Sequence, residues 1–185
     1  MIIGLAGYAR SGKDTLASMM VSNYDFKQIA YADALKNILK ATNPLLDEDG
    51  MRLNEALSYF GEDDLKSSKY GGEYRRLCQK LGTEGVRKNI GESTWINVVK
   101  DSISADPESD WVVTDCRFAN EIQAVKDLGG QVLWVHRPGV DPVNSHSSDN
   151  SISERDADEI IYNMGTKADM LSQFIQWRDL NSVPV

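Results

Sequence analysis

The residues best suited to chemistry stand near the start of the chain, in Gly7-Tyr8-Ala9-Arg10-Ser11-Gly12-Lys13-Asp14-Thr15. Glycines at both ends of a short loop, with a lysine directly after, let the backbone curl until successive N–H groups converge on an anion. An apolar run, Ile2-Ile3-Gly4-Leu5-Ala6, precedes the segment and a helical pattern follows it. That is the strand, loop and helix setting of a Walker A phosphate loop. The first turn of the helix adds its partial positive charge, Lys13 reaches the β and γ phosphates of a nucleoside triphosphate, and Thr15 is placed to contact the α phosphate. Asp14 departs from the usual serine or threonine. A carboxylate is also a hard oxygen ligand, so the position can still serve magnesium. The bland alternative is a glycine-rich turn that happens to put a lysine at a helix start.

A second candidate is Trp111-Val112-Val113-Thr114-Asp115-Cys116-Arg117, an apolar strand that ends in an acid and then a cation. Ligands of open parallel sheets collect beyond the carboxyl ends of the strands, which brings Asp115 and Arg117 toward the glycine loop. Asp115 suits a metal-holding role and Arg117 a phosphate contact. A capping aspartate and a surface arginine at the start of the next helix are the bland alternative. Asn120 and Glu121 read either as first-turn polar residues or as supports of the site.

Transfer to a second substrate needs another anion site, because phosphoryl transfer works by positioning and charge stabilisation. Lys36, Arg75, Gln79 and the pair Arg87-Lys88 are the candidates. Arg75, Gln79 and Arg87 recur at multiples of about four residues and are expected to share a helix face. Solvated surface charge is the competing reading for each one taken alone.

Short apolar runs at 2–6, 28–31, 111–115, 132–136 and 159–162 are expected as buried strands of a parallel sheet. Between them, Leu16/Met19/Met20, Leu35/Ile38/Leu39, Leu77/Leu81, Trp95/Val98/Val99, Ile122/Val125 and Met170/Leu171/Phe174/Ile175 recur at helical spacing. Two stretches interrupt the alternation and read as mobile excursions: polar 43–72, with one short helix at 53–60, and 138–150, rich in Pro, Ser and Asp. At 185 residues and 41% hydrophobic content the chain is expected to form one domain. Its net charge of -8 argues against general affinity for nucleic acid polymers, so phosphate binding must be local. Cys78 and Cys116 lack the spacing of a disulfide scaffold, which points to a reducing compartment. A basic leader and an apolar stretch of about 20 residues are both missing, so a cytoplasmic protein is expected, with no membrane partner.

Taken together, these residues resemble the deoxynucleoside monophosphate kinases of bacteriophages, within the P-loop kinase superfamily. The matching pieces are Arg10-Ser11-Gly12-Lys13-Asp14-Thr15; Tyr31-Ala32-Asp33 with Lys36; Arg75 with Gln79-Lys80-Leu81-Gly82-Thr83-Glu84 and Arg87; Thr114 through Glu121; and His146-Ser147 with Asp158 and Asn163-Met164-Gly165-Thr166. They span nearly the whole chain. The resemblance implies an α/β P-loop fold with five parallel strands in the order 2-3-1-4-5 flanked by helices. It also implies ATP and Mg2+ as cofactors, a deoxynucleoside monophosphate acceptor and a diphosphate product, in the host cytoplasm if the chain is phage-encoded. By position, Ala9, Arg10, Ser11, Gly12, Lys13, Asp14, Thr15, Arg137, Gly165 and Thr166 would bind ATP. Asp14 and Asp115 would hold the metal, and Lys13, Arg117, Asp115 and Arg87 would act in catalysis. Asp33, Lys36, Arg75, Gln79, Arg87 and Arg117 would bind the acceptor, with Gln79 reading its base. An acceptor-binding excursion is expected at about 33–90 and a short lid at about 137–153; a homodimer is left open. The chain departs from the family in its lid, where Arg137 and Arg155 stand in place of several arginines, and in His146-Ser147-Ser148-Asp149, which reads as a solvated loop.

Three other readings compete. Thr166-Lys167-Ala168-Asp169 mimics a guanine-reading motif, but Asp115 is followed by Cys-Arg-Phe where a switch GTPase needs Asp-x-x-Gly. Another small-molecule kinase, of the dephospho-coenzyme A or phosphomevalonate type, would share the loop and differ at the acceptor. A non-catalytic ATP-binding module would keep Lys13 and Asp115.

Overall fold

Ile3, Leu5 and Ala6 are completely buried, because the strand that carries them runs through the middle of a sheet covered on both faces. The structure, a computed structural model, describes residues 1–140 and 152–181. In chain order the elements are β1 (Ile2–Ala6), α1 (Lys13–Tyr24), β2 (Lys27–Ile29), α2 (Tyr31–Thr42), α3 (Leu53–Ser67) and α4 (Gly71–Gln79). A π-helical segment (Lys80–Arg87), α5 (Thr94–Ser104), β3 (Trp111–Cys116), α6 (Ala119–Asp127), β4 (Gln131–His136), a 3-10 turn (Glu154–Asp156), β5 (Glu159–Tyr162) and α7 (Lys167–Asn181) follow. They divide into two compact units, Met1–Ala30 with Val99–Val185, and Tyr31–Val98.

The first unit holds the sheet, five parallel strands in the order β2-β3-β1-β4-β5. This is the topology of the P-loop kinases, as the resemblance implied. On one face, Leu16, Ala17 and Met20 of α1 and Met170, Phe174 and Trp177 of α7 pack with Ile3, Leu5, Val112, Leu133 and Val135 in a single cluster. The other face receives α6. Gly4 permits that approach, because a side chain there would meet Val125 of α6 at 3.1 Å and the Cys116 thiol at 3.0 Å. Since β1, β3, β4 and β5 all run the same way, their carboxyl ends share one edge of the sheet, where the loops of interest emerge.

The second unit is helical, and it differs from the sequence reading in two places. Tyr31 was expected to end a strand; it opens α2 and is 5% exposed, because β2 stops at Ile29. The stretch read as a polar excursion with a helix at 53–60 carries α3 on to Ser67. Gly61, at φ 69°, kinks α3 without ending it, and Leu65 beyond the kink is fully buried. No helix among the described residues is long and apolar enough to cross a membrane.

Candidate active site

The loop between β1 and α1 takes its shape from close backbone approaches that only glycine allows at its two ends. Gly7 sits at φ 134°, where a Cβ would lie 2.6 Å from the Val135 carbonyl of β4. Gly12 sits at φ 110°, where a Cβ would lie 2.6 Å from the Asn163 amide nitrogen. Between them the Tyr8 ring packs edge-on against Trp134, with centroids 5.3 Å apart. Asn163, directly after β5, donates through Nδ2 to the Ser11 carbonyl at 2.8 Å, and its own N–H donates to the His136 carbonyl at 2.7 Å. Arg137 donates to the Arg10 carbonyl at 3.3 Å. The loop is thus braced by the ends of β4 and β5, and the result is a cleft of about 260 Å³ lined by Arg10, Gly12, Lys13, Asp14, Thr15, Arg137 and Asn163. Ala9 lies exposed at the crest of the loop and Ser11 is buried beneath it.

Lys13 is 9% exposed and donates from Nζ to the carbonyls of Gly7 at 2.7 Å and Tyr8 at 2.8 Å. Burial, with the Arg117 cation nearby, pushes its pKa down to about 8; Asp14 and Asp115 pull the other way. All three charged neighbours therefore act on one ammonium. An ammonium held by two neutral carbonyls is replaceably bound, since a phosphate oxygen offers a charge-assisted partner that the carbonyls do not.

Asp115 lies inside β3, so it does not cap the following helix. The carboxylate at the start of α6 is that of Glu121, 2% exposed, which accepts the N–H groups of Arg117 at 2.8 Å and Phe118 at 3.1 Å. Glu121 therefore fixes the corner from which Asp115 and Arg117 project. Cys116 between them is inert, its thiol pushed well up by burial.

Two carboxylates, those of Asp14 and Asp115, act on the Lys13 ammonium. No group of three or more His, Cys, Asp or Glu among the described residues is arranged to hold a metal alone. Magnesium ordinarily takes one or two carboxylates and completes its shell with water and substrate phosphate. Two carboxylates acting on the lysine of a phosphate loop fit that pattern.

Beyond β5, Gly165 and Thr166 lead into α7. The Asp169 carboxylate accepts the Thr166 N–H at 2.7 Å and hydroxyl at 2.8 Å, and the Asp169 N–H donates to the Thr166 hydroxyl at 3.2 Å, a reciprocal cap. A side chain at Gly165 would meet that carboxylate at 2.4 Å. The aspartate of the guanine-motif mimic is thereby engaged in starting a helix.

The remaining candidates belong to the second unit. Asp33 is exposed in the first turn of α2. Lys36 pairs with Glu62 at 2.7 Å, and Lys66 pairs with the same carboxylate at 3.2 Å. Burial alone would raise the Glu62 pKa, yet the two lysines hold it below the usual range. Arg75 donates to the Lys66 carbonyl at 2.6 Å. Arg75 and Gln79 are exposed and Arg87 is half-buried. Of the lid expected at 137–153, residues 141–151, His146 among them, lie outside the described residues; Arg155 is exposed on the 3-10 turn.

Two supporting residues were named in the sequence without a settled role. Asn163 had a usable signal, a polar residue directly after an apolar strand on the edge where the phosphate loop emerges. Glu121 had been left open between two readings, and its burial decides it.

Relatives of known name match this chain. It is 28% identical over 195 aligned positions to a putative deoxynucleotide monophosphate kinase of Acanthamoeba polyphaga mimivirus, covering 97% of this chain and 96% of that protein. The deoxynucleotide monophosphate kinase of Enterobacteria phage T4 is 28% identical across 54% of this chain and 42% of its own length. Among solved structures, shikimate kinase from Aquifex aeolicus superposes over 98% of both chains with a TM-score of 0.51 at 15% identity, a likeness of fold. The family model described as deoxynucleotide monophosphate kinase matches residues 63–174, more than half of the sequence, from within α3 through β3, α6 and β4 into α7. The chain belongs to the deoxynucleotide monophosphate kinase family.

Proposed function

We propose that the chain transfers the γ-phosphoryl group of ATP to the 5′-phosphate of a deoxynucleoside monophosphate, with Mg2+, in a reducing cytoplasm. The observation that supports this reading most is the buried Lys13 ammonium, set in a glycine loop and acted on by Arg117, Asp14 and Asp115. The acceptor's phosphate oxygen attacks the γ phosphorus, the bond from that phosphorus to the β,γ-bridging oxygen breaks, and ADP leaves. The loop N–H groups and the start of α1 hold the triphosphate. Lys13 moves from the Gly7 and Tyr8 carbonyls to the β and γ oxygens. Arg117 faces the charge that gathers on the transferred group, and its backbone is fixed by Glu121. When bound, magnesium neutralises phosphate charge; Asp14 and Asp115 would hold it. Arg137 and the Gly165-Thr166 loop lie on the ATP side by this reading, and Asp33, Lys36, Arg75, Gln79 and Arg87 on the acceptor side.

A coupled assay of ADP release tests the reading, with MgATP and each deoxynucleoside and ribonucleoside monophosphate in turn, then dephospho-coenzyme A and phosphomevalonate. ADP release that depends on a deoxynucleoside monophosphate is the expected result. Preparations that bind ATP yet release no acceptor-dependent ADP would sink it, and release with one of the last two acceptors alone would transfer it to the rival kinase class.

Asn163→Ala removes the donor to the Ser11 carbonyl and loosens the loop at Gly12. The KM for ATP is expected to rise by about 10-fold, the worth of one well-placed hydrogen bond, with the acceptor KM unchanged. Steady-state kinetics with each substrate varied separately checks this. A parallel rise in both constants would make Asn163 a residue of general stability only.

A further inference from the structure

β4 ends at His136, whose side chain is engaged on two sides. Its Nδ1 lies 2.5 Å from a carboxylate oxygen of Glu154 on the 3-10 turn, and its ring packs against that of Tyr162, its register partner on β5, with centroids 5.6 Å apart. A carboxylate only accepts, so the proton of the bond belongs to the imidazole. Both His136 and Glu154 are half-buried.

Glu154 is itself held at a fixed point. In its turn the Asp156 carboxylate accepts the Ser153 N–H at 2.7 Å and the Ser153 hydroxyl at 3.0 Å. Lys126 of α6 donates to the Asp156 carbonyl at 3.3 Å and pairs with Asp158 at 3.0 Å. Asp158 is bound at the start of β4: its N–H donates to the Val132 carbonyl at 2.8 Å, and its carboxylate accepts the Val132 N–H at 2.7 Å. The segment from Glu154 to Asp158 is thus tied to both ends of one strand, at His136 and at Val132.

The end at His136 is the one that shapes the phosphate loop. The His136 carbonyl accepts the N–H of Asn163, whose amide holds the Ser11 carbonyl, and Arg137, the next residue, donates to the Arg10 carbonyl. Neither His136 nor Glu154 lines the cleft itself. We infer that His136 and Glu154 are positioning residues for ATP: by fixing how the chain leaves β4, their hydrogen bond sets the Asn163 and Arg137 contacts that keep the loop in its binding shape. The inference rests on the proposed function and adds to it a pair that acts only through the end of β4.

The test is calorimetric titration of the full chain with MgATP, joined to steady-state kinetics, for the parent, His136→Ala, Glu154→Ala, the two together, and His136→Asn. Either alanine variant is expected to raise the Kd for MgATP by about 3 to 10-fold, as for the loss of one hydrogen bond. The acceptor KM, and kcat at saturating ATP, should stay within about twofold of the parent's, because only binding of ATP is loosened. The double alanine variant should lose no more than either single one, since both remove the same bond. Asparagine keeps a nitrogen donor near the place of Nδ1, so His136→Asn should recover most of the affinity. Equal Kd values in the parent and both alanine variants would overturn the inference, and so would losses that multiply in the double variant. A fall in thermal midpoint with parallel losses in kcat and both substrate constants would overturn it too, by making the pair a part of general stability. A parent that binds ATP and transfers nothing would remove the proposed transfer alone, and the calorimetric comparison would still decide the inference. A parent that does not bind ATP would remove both.

Discussion

Lys13→Met is expected to lower kcat by about 10³-fold while leaving the fold intact. The magnitude is that of removing one preorganised charge from a phosphoryl-transfer site. Methionine nearly matches the lysine stem, so the buried shaft stays filled while the ammonium disappears. The native protein holds that ammonium under strain, since burial and Arg117 press its pKa down to about 8. Discarding it therefore removes an electrostatic burden from the folded state, and the two carbonyls it leaves are neutral groups of half-buried loop residues. Thermal unfolding should show a midpoint equal to or above that of the parent chain. Turnover by the variant within tenfold of the parent would take the transferred phosphoryl group away from Lys13. A fall in midpoint together with activity would mean that the loop depends on this side chain for its shape.

The distribution of what the sequence revealed follows from how local each signal is. The phosphate loop was legible because its glycines, at two positive φ angles, and its lysine fall within a few consecutive residues, although the neighbours that crowd those glycines, Val135 and Asn163, are distant in sequence. β1 and β5 were read to the residue because their apolar runs stop at polar or glycine neighbours, Gly7 after β1 and Asp158 and Asn163 on either side of β5. Strand order was different in kind. It came from family resemblance, since no periodicity says which strand lies beside which. The errors lie where tertiary contact overrides a local signal. Gly61 looks like a helix end, yet burial of Leu65 beyond it carries α3 onward. Tyr31 has a strand former's side chain and is used instead to seal the first turn of α2. The shared face of Arg75, Gln79 and Arg87 was expected from multiples of four, a rule of the α-helix, whereas the chain from Lys80 to Arg87 is π-helical. Within it the Gly82 carbonyl accepts the Trp95 indole N–H, and a side chain at Gly82 would crowd Leu35, neighbours that the local sequence does not announce. In the site itself Lys13, Asp14 and Asp115 stood out by type and position. Asn163 and Glu121 act through other residues, and only distances to the Ser11 carbonyl and to the Arg117 and Phe118 N–H groups separate them from ordinary polar residues at element ends.

The two carboxylates of the site should respond very differently to substitution. Asp115→Asn is expected to lower kcat by about 10² to 10³-fold and to shift half-saturation with magnesium to higher concentration. Asp115 lies one residue before the end of β3, is half-buried, and has no neighbouring group of like chemistry in β3 to replace it. Asparagine preserves its size and loses the charge, and a neutral amide is a poor partner for a hard dication. Asp14 is exposed at the start of α1, where the common form of the loop carries a hydroxyl. Asp14→Ser substitutes one oxygen donor for another and restores that form, so turnover should stay within about tenfold of the parent at saturating magnesium. Both variants also lose a negative charge that favours the Lys13 ammonium, which makes charge loss alone a common baseline for the pair. The quantity that separates them is the dependence of kcat on free magnesium at fixed ATP, supported by calorimetric titration of each variant with ATP in the presence and absence of the metal. A steep loss in Asp14→Ser with a mild one in Asp115→Asn would reverse the assignment and make the loop aspartate the principal metal ligand. Equal losses that added magnesium leaves untouched would assign both carboxylates to tuning Lys13, with no direct part in holding the ion.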